Sequence, residues 1–65
     1  MRIEVNGESR SITATTVTGA LEELGWGSAR VATARNGEFL PQAARATTAL
    51  HEGDRLEVLS AMQGG

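Results

Sequence analysis

Cysteine is absent from this sequence, and histidine occurs once, as His51. Disulfide frameworks and zinc or iron–sulfur centres are therefore excluded, because their ligands are missing. The 65 residues form one small domain, and a chain this short buries only about 60 % of the surface that it exposes when unfolded. Stability has to come from packing alone, and any sulfur chemistry must use sulfur brought from elsewhere.

Lysine is also absent, so all six basic residues are arginines, and eight acids bring the net charge to −2. This balance argues against a nucleic-acid binder, and the folded domain offers no lysine side chain for isopeptide linkage to another copy. No apolar run approaches the roughly 20 residues of a membrane span. The first residues, Met1 to Val5, lack the apolar segment of a signal peptide. We expect a cytoplasmic protein that is monomeric alone, with no nucleic-acid or membrane partner.

Catalytic motifs are missing too. The sequence has no P-loop, no GxGxxG and no cluster of metal ligands, and none of its serines has an evident base nearby. Glu22 and Glu23 are adjacent in a predicted helix, where neighbouring residues do not face one another, so they indicate a solvated surface. His51, without a partner thiol or serine motif, is expected to be exposed in a turn. We predict no metal site, no bound cofactor and no enzymatic activity for the chain alone.

The pattern of apolar residues predicts strands at both ends and in the middle of the chain. Residues 1–5 alternate apolar and polar, Asn6-Gly7 is a tight-turn signal, and residues 8–13 return as an edge strand. Residues 30–35 form a third strand, with either face inward, and Phe39-Leu40 forms a short apolar segment. In the last strand, residues 55–60, the alternation buries two residues and leaves Leu59 on the outer face.

One helix is predicted between the second and third strands. Its apolar positions fall at i, i+3, i+4 and i+7 and are Val17, Ala20, Leu21 and Leu24. Thr15 or Thr16 can cap its start and Gly25 its end. Trp26 is expected to cover the edge of the core, and Pro41 to begin a single helical turn that ends at Ala46.

The order of elements is strand, strand, helix, strand, short strand, strand. It predicts an α+β domain over residues 1–60, in which one main helix packs across a mixed sheet of four to five strands. With the right-handed crossover expected after a hairpin, this is the outline of a β-grasp fold.

Residues 61–65, which end in Gly64-Gly65, are predicted to form a flexible tail of about 16 Å when extended. Glycines have no Cβ, so Gly64 and Gly65, preceded by Gln63, can enter a narrow cleft of a partner. The Gly65 carboxylate is a poor acyl donor until it is joined to AMP. Because the chain has no phosphate-binding loop, a partner must bind ATP for that step.

Three segments resemble the thiamine-biosynthesis sulfur carriers, the ThiS family. They are residues 36–41 (NGEFLP), residues 50–54 (LHEGD) with Leu56 and Val58, and the terminal Gly64-Gly65. The resemblance spans essentially the whole chain and implies a ubiquitin-like β-grasp fold. The sequence departs from the family pattern at Gln42 and Arg45, where the family often carries arginine and tryptophan.

The resemblance also implies a reaction cycle. An E1-like adenylyltransferase of the ThiF type uses MgATP to adenylate Gly65, and a relay fed by a cysteine desulfurase converts the carboxylate to a thiocarboxylate. A thiazole synthase of the ThiG type then takes the sulfur. Leu59 and Met62 are our own candidates for apolar docking to these partners.

Three alternatives remain open on the sequence. The chain resembles other sulfur carriers, such as the small subunit of molybdopterin synthase, which share the glycine tail. It is also compatible with a ubiquitin-like tag that is attached to other proteins, and with a plain interaction domain whose tail is inert. The length and residues 36–41 favour the thiamine carriers.

Overall fold

The computed structural model describes residues 1–27 and 29–60, which form five strands, one α-helix and one 3-10 helix. The elements are β1 (Arg2–Val5), β2 (Glu8–Ser11), α1 (Val17–Glu23), β3 (Val31–Arg35), β4 (Glu38–Leu40), the 3-10 helix (Gln42–Thr47) and β5 (Arg55–Ser60). The predicted order of elements is confirmed.

The strands form one mixed sheet in the order β2-β1-β5-β3-β4. β5 pairs parallel with β1 and antiparallel with β3, whereas β2 and β4 are the two edges. The last strand of the described chain therefore lies at the centre of the sheet. With α1 packed across one face, this is the ubiquitin-like β-grasp fold that was predicted.

Two Asn-Gly pairs close the two hairpins in the same way. Asn6 and Asn36 both have φ 51°, and Gly7 and Gly37 both have φ 86°. Two consecutive residues with positive φ make a two-residue turn whose twist matches that of the flanking strands. The turn between β1 and β2 is as predicted, and the second turn sets Arg35 opposite Glu38.

The core lies between α1 and one face of the sheet. Its buried apolar residues are Ile3, Val5, Ile12, Val17, Ala20, Leu21, Leu50, Leu56 and Val58. Thr33 is also buried, so β3 turns Val31 and Thr33 inward and Ala32 and Ala34 outward. This settles the orientation of β3, which the sequence left open.

The ends of α1 follow the predicted signals. The Thr16 side chain accepts a hydrogen bond from the Gly19 N–H at 3.2 Å, and Gly25, at φ +102°, follows the last turn. Trp26 is partly buried against the core, as expected. A Cβ on Gly19 would lie 3.1 Å from the Ala14 Cβ, so the glycine accommodates the loop before the helix rather than the sheet.

The 3-10 helix begins one residue later than the predicted turn. Pro41 precedes it in an extended conformation (φ −62°, ψ 150°) and serves as its N-cap residue. Within the described ranges, no helix has the length and apolar character needed to cross a membrane.

Candidate functional site

The end of β5, at Ser60, is the last part of the chain before residues 61–65 that the structure describes. β5 is held on both sides, by β1 and by β3, and its last residue, Ser60, pairs with Val31. Four of the predicted site residues (Met62, Gln63, Gly64 and Gly65) and the predicted tail lie outside the described residues. The described part of the candidate site is therefore the outer face of the sheet around Leu59.

Leu59 points away from the core, as predicted, and 68 % of its surface is exposed. The alternation along β5 explains this, because Leu56 and Val58 fill the core at 0 % and 4 % exposure. An exposed leucine in a central strand contributes little to the core of its own domain. Its role in docking stays a prediction.

Phe39 is the functional candidate that the sequence analysis missed. It is 71 % exposed on the same outer face as Leu59. Between the two large side chains, β3 presents only Ala32, opposite Leu59, and Ala34, opposite Phe39. The result is an apolar trough of about 490 Å³, lined by Leu59, Phe39, Ala32, Ala34, Thr33, Asn6 and Glu57.

The Asn36-Gly37 turn was the signal that could have found Phe39. A two-residue turn pairs Arg35 with Glu38 and therefore Ala34 with Phe39. Directly opposed residues in an antiparallel pair point to the same face. Once Ala34 is assigned to the outer face, Phe39 must follow it.

Asn6 holds β5 beside this trough with its side chain. Its Nδ2 donates to the Val58 carbonyl at 3.0 Å, and its Oδ1 accepts from the Val58 N–H at 2.8 Å. The side-chain amide thus imitates the backbone of a neighbouring strand, beyond Val5, where β1 ends. This contact fixes the backbone immediately before Leu59.

Asp54 holds the opposite end of β5. It is buried, and its carboxylate accepts from the His51 N–H at 2.9 Å, Arg35 Nε at 3.1 Å and Asn36 Nδ2 at 3.2 Å. Burial raises the pKa of Asp54, but these hydrogen bonds and the charge of Arg35 outweigh it, so the pKa lies below its ordinary value. The Asn36 Oδ1 also accepts from the Arg55 N–H at 2.9 Å. Both ends of β5 are therefore clamped by side chains from neighbouring turns.

His51 is exposed, as expected, with its Nδ1 3.9 Å from Asp54 Oδ2. Asp54 is already engaged by three donors, so this pair has the character of a turn contact. Among the described residues, no group of three or more His, Cys, Asp or Glu side chains could hold a metal ion. Glu22 and Glu23 are exposed, and Glu23 has a structural role that the sequence did not indicate, since its carboxylate accepts from the N–H groups of Thr13 and Ala14.

Gln42 and Arg45, the positions that depart from the family pattern, lie at the edge of β3. Arg45 Nε donates to Thr33 Oγ1 at 3.0 Å, and its Nη2 donates to the Val31 carbonyl at 2.6 Å. Arg45 therefore ties the 3-10 helix to the sheet next to Ser60. Both residues line a groove at the end of β5.

Comparison with known proteins connects this geometry to one family. The sequence profile of the ThiS family matches residues 3–65. The chain is 41 % identical over 66 residues to a thiazole synthase of Paramagnetospirillum magneticum. That alignment covers all of this chain but 20 % of the relative, so the chain spans about a fifth of the length of that protein.

Two solved structures share the fold. The crystal structure of a thiamine biosynthesis protein (ThiS) from Geobacter metallireducens has a TM-score of 0.84 and 33 % identity, with full coverage of both chains. The solution structure of a thiamine biosynthesis protein from the same organism has a TM-score of 0.78 and 32 % identity, covering 100 % of this chain and 88 % of the other.

Proposed function

Because the chain belongs to the ThiS family, the sulfur carriers of thiamine biosynthesis, we propose that it carries sulfur as a thiocarboxylate on Gly65. The observation that supports this most directly is the match to the family through residue 65. The whole sheet is built around the strand that leads to this residue. The chain itself acts as substrate and carrier, and partner enzymes supply the catalysis.

The first step in this proposal is activation of the carboxylate. An E1-like adenylyltransferase of the ThiF type binds MgATP, and a Gly65 carboxylate oxygen attacks the α-phosphorus. Pyrophosphate leaves, and the acyl group is joined to AMP. The absence of side chains at Gly64 and Gly65 allows the backbone to enter a cleft too narrow for other residues.

The second step exchanges oxygen for sulfur. The terminal sulfur of a persulfide, from a relay fed by a cysteine desulfurase, attacks the acyl carbon, and AMP leaves with the oxygen that had joined it. A thiol then reduces the resulting acyl disulfide, which frees the thiocarboxylate and oxidises two thiols to a disulfide; these thiols belong to the partners, because the chain has no cysteine. The chain then carries one sulfur in place of one oxygen. We propose that a thiazole synthase of the ThiG type takes this sulfur in exchange for an oxygen atom, which returns to the acyl carbon and regenerates the carboxylate. The likeness to a thiazole synthase supports this step.

The apolar trough is the docking surface in this scheme. Leu59 and Phe39 are 68 % and 71 % exposed. Leu59 immediately precedes Ser60 and the segment that contains Met62. A partner that covers the trough therefore also receives the residues that follow β5. Large apolar anchors in a shallow pocket are typical of the energetic centre of an interface.

The test is the mass of the intact chain after incubation with a cognate adenylating enzyme, MgATP and a sulfur donor. We expect a gain of one sulfur and a loss of one oxygen, located on the C-terminal peptide. Deletion of Gly65 should abolish the change. G27A is the matched control, because Gly27 is exposed and a Cβ there meets nothing within 4 Å.

Two results would contradict the proposal. An unchanged mass with an active adenylating enzyme would remove the carrier role, and the recovery of the chain covalently joined to other proteins would indicate a protein tag. A strain that lacks this chain and still makes thiamine without supplementation would remove the pathway assignment.

A further inference from the structure

A basic groove, which comprises Arg30, Arg45, Gln42, Ser60, Ala32 and Leu59, lies where β5 ends. Its volume is about 790 Å³, larger than that of the apolar trough. None of the described residues that line it carries a carboxylate, whereas Glu57 borders the trough. Two of the six arginines of a chain with net charge −2 therefore face one groove.

Arg45 is held in place at the wall of this groove. β4 pairs with β3 from Thr33 to Arg35, so the strand edge at Val31 extends beyond β4. Arg45 donates two hydrogen bonds to that strand. Its Nη2 lies 2.6 Å from the Val31 carbonyl oxygen, and its Nε lies 3.0 Å from Thr33 Oγ1. A guanidinium has five N–H donors, and these two contacts leave three for a ligand. The positive charge is thus fixed before any partner arrives.

Arg30 adds a second positive charge, which is more exposed than that of Arg45. It is exposed and lies one residue before β3. Within residues 1–27 and 29–60, its side chain makes no hydrogen bond or ion pair with another residue. Arg45 therefore supplies a fixed cation, and Arg30 supplies an exposed cation whose replacement should leave the fold intact.

The position of the basic groove links it to the apolar trough. Ala32 and Leu59 line both, so the two surfaces are continuous across the end of β3 and β5. Ser60, the last described residue, lines the basic groove as well. Any protein that takes the residues after Ser60 into a cleft must pass beside these two arginines.

We propose that the basic groove binds carboxylate side chains of the thiazole synthase at the entrance to its active-site cleft. This inference rests on the proposed function, in which the synthase receives sulfur from Gly65. Guanidinium groups match carboxylates in geometry and charge. Ion pairs at the rim of an interface speed association and fix the orientation of the partners, while the apolar trough supplies the contact area.

The test measures the affinity of the unmodified chain for the cognate thiazole synthase at two salt concentrations. R30E should weaken the affinity for the synthase about tenfold at low salt. At about 0.5 M salt, the affinities of R30E and of the unmutated chain should be much closer, because salt screens the charges. R10E is the matched control, because Arg10 is exposed on the edge strand β2, at the far side of the sheet. It makes the same charge change and should bind as the unmutated chain does.

R45Q tests the second arginine, with its thermal stability recorded in parallel because Arg45 also contacts Val31 and Thr33. A salt-dependent loss of affinity by folded R45Q would support the proposal. Equal losses for R30E and R10E would show that net charge alone matters and would overturn it. A loss that does not change with salt would overturn it too.

The docking role of the basic groove and the carrier role of Gly65 are tested by separate measurements. The binding experiment uses the carboxylate form of the chain, whereas sulfur loading is read from the intact mass. If R30E binds the synthase normally while Gly65 still acquires sulfur, the basic groove has no docking role and the carrier role stands.

Discussion

At the scale of single residues, two asparagines combine a turn with a clamp on the central strand. Asn6 and Asn36 both adopt φ 51°, which asparagine tolerates better than most residues. Each also reaches β5 with its side chain, Asn6 at Val58 and Asn36 at Arg55. Glycine would satisfy the turn equally well, so the clamp is what requires asparagine at these positions.

N6D isolates the donor half of the clamp at Val58. Aspartate tolerates the same backbone conformation and keeps an acceptor for the Val58 N–H, but it cannot donate to the Val58 carbonyl. We expect the free energy of unfolding to fall by about 1 kcal/mol in denaturant titrations. S11D adds a similar charge to the exposed edge strand β2, and its free energy of unfolding should fall by clearly less. Equal losses in the two variants would refute the clamp.

At the scale of elements, Glu23 joins the end of α1 to the connection that precedes it. Its carboxylate accepts from the Thr13 N–H at 2.9 Å and from the Ala14 N–H at 2.9 Å. These backbone hydrogen bonds hold the pKa of Glu23 below its ordinary value. The loop between β2 and α1 is thus tied to the far end of the helix that it leads into.

E23Q should therefore lower the melting temperature at pH 7. The neutral amide is a weaker acceptor than the carboxylate. E22Q is a close control, because Glu22 is the adjacent exposed carboxylate and makes none of these contacts. It should melt at or slightly above the temperature of the unmutated chain, since removing a negative charge near a helix C-terminus is favourable. Identical melting temperatures for the two variants would contradict the role of Glu23.

At the scale of the whole molecule, Asp54 and Glu23, whose pKa values are lowered among the described residues, make stability depend on pH in acid. The pKa values of Asp54 and Glu23 are lowered on folding, so in acid the unfolded chain binds more protons than the folded chain. Their contribution is fully present above the ordinary carboxyl pKa of about 4 and is lost as the pH falls through the folded-state values.

Thermal melts between pH 7 and pH 3 should show this as a fall in melting temperature below about pH 4.5. The D54N/E23Q double variant should begin less stable at pH 7 and lose less on acidification. A parallel fall in both proteins would assign the acid sensitivity to other groups.

Substitutions on the outer face of the sheet should weaken binding to partners without lowering the stability of the domain. Because Phe39 and Leu59 are exposed at 71 % and 68 %, F39S and L59S should change the free energy of unfolding by no more than about 0.5 kcal/mol. Each should weaken binding to the adenylating enzyme or to the thiazole synthase by about tenfold or more in titration calorimetry. L40S is the contrasting control, because Leu40 packs against the core and its loss should destabilise the domain. Unchanged affinity in both F39S and L59S would remove the trough as a docking surface.

Much of this architecture was predictable because its signals are local. The Asn6-Gly7 turn, the helical stripe from Val17 to Leu24 and the alternation along β5 each depend on neighbours within a few residues, and all appear as expected. The exposure of Leu59 follows from the same alternation. The exposure of Phe39 could be predicted only in a further step. Ala34 has to be assigned to the outer face first, and Phe39, its partner across the Asn36-Gly37 turn, then lies on the same face.

The polar contacts were not predictable, because their partners are distant in sequence. Asp54 carried only a turn signal, yet it meets Arg35 and Asn36 across 19 and 18 residues. Asn6 meets Val58 across 52 residues. No local pattern encodes which side chains a fold brings together at such separations. The residues beyond Ser60, which hold the predicted modification site, lie outside what the structure describes.

The central position of β5 also orders the events of synthesis on the ribosome. The hairpin of β1 and β2 and the hairpin of β3 and β4 emerge first, but they lie on opposite sides of β5 and do not pair with each other. Two isolated hairpins are marginal in water, so the sheet closes only after Arg55–Ser60 has been translated. A chain interrupted before that point lacks its middle strand and exposes apolar surface to chaperones and proteases. The domain can therefore present the outer face of this strand to a partner only after β5 has been made and has paired with β1 and β3.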